Sequence, residues 1–152
     1  INLREFELLD HTADIGIKTY GNTIEDLFCN TAIAMFSLMA DLDKVRPFKK
    51  FDIQIKGENE ENLMIKWLNE LLYLYETELC LFNKFDLEIE NICCEEINNL
   101  TENNKLLLKA SVEGEDIDLE KHHIKTHIKG ATYHKLEIRK NKIYSASIFF
   151  DV

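Results

Sequence analysis

The sequence predicts an α+β fold, a largely antiparallel β-sheet or pair of sheets with two amphipathic helices packed against it. Three observations predict this. Much of the chain reads as short runs with an apolar residue at every second position, and only two stretches repeat apolar residues at helical spacing. With one Pro and five Gly in 152 residues there is little room for a long linker, and the length suits one domain, residues 1–152, around a single core.

Taken in order, Phe6 to Leu9 is a short strand closed by Asp10-His11-Thr12-Ala13, and Asp14 to Tyr20 alternates as a half-buried strand with Ile15 and Ile17 on one face. Thr23 with Asp26 is a capping-box type start, so the first helix runs from there through Leu27, Phe28, Ala32, Met35 and Leu38 to near Ala40. Pro47 cannot donate to a ladder and marks the entry to a strand in which Phe51, Ile53 and Ile55 alternate with polar residues. Asn59 with Glu60 and Glu61 opens the second helix, expected to reach about Phe82. Its wide apolar arc, with Leu63, Met64, Leu68 and Leu71, predicts a helix laid across a sheet with Trp67 in the core. Lys84 to Cys93 and Lys105 to Gly114 read as strands joined by an exposed, Asn-rich connection from Glu95 to Asn104. After an acidic turn from Glu115 to Glu120 come three more strand patterns, Ile124 to Ile128, Thr132 to Ile138 and Ile143 to Phe150, the last two joined at Asn141-Lys142.

Lys and Arg total 18 against 28 Asp and Glu, a formal net charge of -10. That balance repels a phosphate backbone and argues against sequence-independent nucleic-acid binding as the main activity. The basic residues gather between Lys121 and Lys142, which suits docking to a charged partner in one orientation. The cysteines Cys29, Cys80, Cys93 and Cys94 form no C-x-x-C pair, and Cys29 and Cys80 fall in apolar helical patterns as small core residues. No apolar run of about 20 residues is present, so no membrane partner is expected and an intracellular location, cytoplasmic or nuclear, follows.

Four groups of residues carry candidate chemistry. If the two terminal strands are neighbours, Asp14 and Asp151 meet; with backbone carbonyls, or the chain-end carboxylate of Val152, they form an oxygen-rich site for Ca2+ or Mg2+. From spacing alone, an Asp at a strand entry is more often a turn or capping residue than a ligand. His123 and His127 stand four apart, a helical zinc spacing, but the flanking Ile124, Thr126 and Ile128 alternate like a strand and argue against zinc. Asp118 and His122 either brace a loop by a hydrogen bond or lie in a solvated acidic turn. Lys129, beside Gly130 and ahead of Tyr133 and His134, is by itself an ordinary strand lysine.

The segments DHTADIGI, WLNELLYLYE, GEDIDLEKHHIKTHIKGATYH and SIFFDV occur in the order found in the archease family, and together the chain resembles that family over nearly its whole length. The resemblance implies an accessory protein, not an enzyme, that activates an RtcB-type tRNA ligase in tRNA splicing and RNA end joining, meeting tRNA only through the ligase. It also implies a divalent cation, Ca2+ first and Mg2+ or Mn2+ otherwise, held by Asp14, Asp151 and Val152. It places a ligase-activating lysine at Lys129, with His134, Asp118 and His122 as further activation residues. Gly130 stands where many members have Ala, and Leu119 replaces a Pro in the DPERH-like stretch, which puts the rigidity of that loop in question. The alternative reading is a chaperone-like binding module for RNA-processing proteins with a structural calcium site. A metal-dependent RNA-end hydrolase using the same acids is disfavoured by the acidic charge and the lack of a recognisable base.

Overall fold

The structure, a computed structural model, describes residues 6–9, 14–94 and 103–152. It is an α+β fold of two wholly antiparallel sheets with helices against them. In chain order the elements are β1 (Glu7–Leu9), β2 (Ile15–Gly21), α1 (Ile24–Met39), a 3-10 turn (Leu42–Lys44), β3 (Lys49–Gly57), α2 (Glu60–Glu78), β4 (Cys80–Cys94), β5 (Asn103–Asp116), α3 (Leu119–His122), β6 (Gly130–Lys140) and β7 (Tyr144–Asp151). One sheet has the order β1-β2-β7-β6 and the other β3-β5-β4. The strand that follows Asp14, β2, and the last strand, β7, are therefore neighbours.

Both long helices start where their capping signals stand. The Thr23 hydroxyl accepts the Asp26 N–H at 3.0 Å, and the Asn59 side chain accepts the Asn62 N–H at 2.8 Å, each satisfying a donor that the first turn leaves open. The helices meet over Trp67, fully buried, whose indole N–H donates to the Phe28 carbonyl across the interface at 3.1 Å. Burying an indole requires such a partner, and this bond ties α2 to α1. A second polar contact crosses the core between α1 and β2. The Thr31 hydroxyl donates to the Leu27 carbonyl, so its oxygen is left to accept from Thr19 at 2.7 Å.

Three expectations are corrected. The second helix ends at Glu78, not near Phe82: Leu79 takes a left-handed conformation, φ 54°, and Cys80, Leu81 and Phe82 are buried as the start of β4. A short apolar run keeps helical phase and strand character at once, so periodicity alone does not separate the two. The acidic turn from Glu115 to Glu120 is instead the end of β5 followed by α3, with Asp118 as N-cap. Ile124 to Ile128 alternates as expected but joins no ladder: within it the Lys125 N–H donates to the Met39 carbonyl, and one residue beyond it the Lys129 N–H donates to the Asp151 carbonyl. The closing turn at residues 10–13 and the connection at 95–102 lie outside the described residues.

Candidate functional site

The site is built by the register of β2 on β7. Ile15 pairs with Phe150 and Ile17 with Ile148, and Ile17, Ile148 and Phe150 are buried in the core. A slip of one residue would turn every one of them to the outside, so the register is strongly specified. Asp14 directly precedes β2 and Asp151 ends β7, so both acids stand at the same end of this strand pair. On the other side of β7, Gly130 pairs with Asp151, and the Lys129 N–H donates to the Asp151 carbonyl at 2.7 Å. The last strand is held from both flanks, and Lys129 is fixed next to it.

Two features that the sequence did not announce position this end. Asn69 on α2 accepts the Ala131 N–H at 2.8 Å and donates to the Ala131 carbonyl at 3.3 Å. It meets the free edge of β6 as a neighbouring strand would, and so sets where β6 begins. The signal was present in WLNELL, as a polar residue breaking an apolar helical arc. The second feature is a bulge: between the pairs Thr132–Phe149 and Glu137–Ser147, β6 carries four residues where β7 carries one. Lys135 within it has φ 54°, and the His134 ring meets Phe149 edge-on at 6.0 Å. Bulges of this kind re-aim side chains. Here His134 is turned onto the ring two residues before Asp151.

Asp151 and Lys129 line one shallow depression of about 660 Å³ with Asn69, Tyr73, Glu76 and Thr77. The exposed Val152 follows immediately. Thus Asp14, Asp151, Val152, Lys129 and His134 gather at one end of the four-stranded sheet. Among the described residues no three His, Cys, Asp or Glu side chains group around a common point. The two carboxylates at this end are hard oxygen donors, chemically suited to Ca2+, Mg2+ or Mn2+ rather than to a thiolate- or imidazole-seeking ion.

Asp118 and His122 are not part of that end. The Asp118 carboxylate caps α3, accepting the Glu120 and Lys121 N–H groups at 3.0 and 3.2 Å, while its own N–H donates to His122 Nδ1 at 2.9 Å. His122 is fully buried, with Nε2 3.6 Å from a Glu115 carboxylate oxygen. Because Nδ1 accepts, the ring proton resides on Nε2. The loop is thus braced by Asp118 and His122. Leu119 is the first helical residue, where a proline also fits, so the replacement leaves the loop's hold intact. Glu115 is the hub: it accepts from the Arg46 N–H and, at 2.7 Å, from the Lys121 ammonium. Burial pushes its carboxyl up, but Lys121 and the Arg46 N–H outweigh this and hold it below the usual glutamate range. His123 and His127 go to different carboxylates, Asp41 at 3.8 Å and Glu76 at 3.4 Å.

Two antiparallel sheets, with one acid directly before β2 and another at the end of its neighbour β7, define a small α+β protein with two carboxylates at one sheet end. The match to the Archease protein family (MTH1598/TM1083) spans residues 6–152, and the chain belongs to that family. Protein archease of Sulfurisphaera tokodaii is 36% identical over 151 residues, covering 99% of this chain and all of the relative, and that of Pyrococcus furiosus is 36% identical over 138 residues, covering 91% and 90%. The solution structure of Methanobacterium thermoautotrophicum protein 1598 superposes with a TM-score of 0.73 at 28% identity, covering 97% of this chain and 99% of that one. No helix among the described residues is long and apolar enough to cross a membrane.

Proposed function

We propose that this protein is an accessory activator of an RtcB-type RNA ligase, which joins RNA ends bearing a 2′,3′-cyclic phosphate or 3′-phosphate to a 5′-hydroxyl, and that Asp14 and Asp151 hold a divalent cation for that task. The observation that supports the reading is the β2–β7 pairing, which brings the start of β2 and the end of β7 to one end of the sheet, with the Lys129 N–H bonded to the Asp151 carbonyl there. Membership of the archease family supports the activator class.

Two carboxylates leave most of the six to eight oxygen positions of Ca2+ to backbone carbonyls, water or groups of a partner. When bound, the ion would supply positive charge at an otherwise acidic edge, where a partner's carboxylate or phosphate can complete its shell. Asp14 and Asp151 bind, Lys129 adds a second cation beside them, and Asn69 keeps the edge in position. The ligase must accept GMP on a histidine, and aligning GTP, metal and side chain contributes several kcal/mol to such a step. The formal charge of -10 makes direct RNA contact a poor alternative.

The test is GMP transfer from labelled GTP to the cognate ligase at limiting concentration, with the unmodified protein, with Asp14→Ala, with Asp151→Ala, and without additions. Calcium binding is followed by calorimetry in parallel. Only the unmodified protein should accelerate labelling, and both variants should lose calcium binding while unfolding at the normal temperature. Full stimulation by both variants would refute the reading.

A further inference from the structure

The end of the three-stranded sheet carries a surface that the proposed activation does not use. Phe48 and Leu119 are the two most exposed large apolar side chains among the described residues, at 75% and 74% of full accessibility. Phe48 immediately precedes β3, and Leu119 opens α3 after β5. The two line the same depression, about 660 Å³, with Ile117 between them in its wall. Leu79, 62% exposed, joins them: its carbonyl accepts the Ile117 N–H at 2.8 Å. Leu79 also occupies a left-handed helix-end position that Gly or Asn usually takes. A leucine there is strained relative to glycine, and its side chain is left mostly in water, so packing does not account for it.

The charges around this apolar group are one-sided. Its two lysines are already engaged, Lys49 with Asp116 at 2.6 Å and Lys121 with Glu115 at 2.7 Å. Glu78, Asp118 and Glu120 have no cation within ion-pair range among the described residues. What remains is an apolar patch rimmed by three carboxylates without an ion-pair partner among the described residues, of which Asp118 also caps α3.

We infer that this patch docks a protein segment in which an aliphatic or aromatic anchor is flanked by Lys or Arg. The anchor fits between Phe48 and Leu119, and the flanking cations meet Glu78, Asp118 and Glu120. An RNA strand would face the same carboxylates with its phosphates, and an acidic segment would be repelled likewise. The surface is separate from Asp14 and Asp151, so the inference stands or falls independently of the ligase reading.

The probe is a synthetic peptide with one Phe and one Leu flanked by Lys and Arg, titrated into the isotope-labelled full chain and followed through backbone amide shifts. Controls are a peptide with Glu in place of each Lys and Arg, a single-stranded RNA of random sequence, and the protein alone over a concentration series. The expected result is saturable shifts centred on residues 48, 79 and 117–120 with the basic peptide. Affinity should fall at least tenfold in Phe48→Ser/Leu119→Ser and in Glu78→Lys/Glu120→Lys, and should weaken as salt is raised. All four substitutions are at exposed positions, and an unchanged amide spectrum away from the patch verifies the fold. Equal binding by the variants, equal binding of the acidic peptide, RNA shifting these residues, or self-association through them would each overturn the inference.

Discussion

Replacing Asn69 by Ala tests whether the start of β6 is held by a side chain and not by its ladder. The substitution removes two hydrogen bonds, to the Ala131 N–H at 2.8 Å and to its carbonyl at 3.3 Å. Each contributes about 1 kcal/mol net, and the longer one less. Ala131 is 7% exposed, so its N–H loses its partner where water barely reaches, which adds to the cost. Against this, Ala is the better helix former by about 0.6 kcal/mol. The balance is a loss of about 2 kcal/mol, or about 4–8 °C in Tm for a chain of this size. Asn69→Asp keeps the acceptor for the N–H but sets an oxygen against the Ala131 carbonyl, so it should fall between wild type and Ala. Urea and thermal unfolding measure both. If Asn69→Ala unfolds within 1 °C of the parent, or if Asp is worse than Ala, the proposed hold on β6 is wrong.

The glycines provide a paired comparison: a Cβ at Gly130 would lie 3.4 Å from Asn69 Oδ1, an ordinary contact, whereas one at Gly16 would lie 2.4 Å from the Phe149 ring. Gly130→Ala should change stability by less than about 1 kcal/mol, and Gly16→Ala should cost about 1–3 kcal/mol by overpacking, both read by urea unfolding. The depressed Glu115 carboxyl implies that its stabilising effect is present at neutral pH and is lost as pH falls below the usual glutamate range, about 4.3. Glu115→Gln should therefore be less stable than the parent at pH 7, with the difference narrowing by pH 3.5; a constant difference across that range would count against the ion-pair account. Burial pushes the Cys29 thiol up to about 12 and the Cys80 thiol up to about 11, where burial is joined by the Asp116 carboxylate. Site-resolved mass spectrometry after iodoacetamide treatment at pH 8 should find both unmodified in the folded protein and labelled in urea.

The residue pattern by itself determined most of the fold's parts. Thr23 and Asn59 announce their helices because a cap is a local hydrogen bond, readable within four residues. The strand from Lys49 shows in its alternation because one face is outside, and those from Ile15 and Tyr144 because one face is more deeply buried than the other. Asp14 and Asp151 were legible as candidates for the same reason, since each abuts a strand whose phase is clear. Tertiary structure decided what depends on partners distant in the chain. Periodicity did not show that the strands among the described residues divide into two sheets, that Cys80 to Phe82 leave the helix for β4, or that Lys125 and Lys129 spend their donors on Met39 and Asp151. It also separated two groups that the sequence treated together: Lys129 and His134 join the two acids, whereas Asp118 and His122 brace a loop beside another sheet. Local pattern records which face of a segment is buried. Which segment buries it, and where each backbone donor finds its acceptor, is a choice among many pairings that only the whole packed chain resolves.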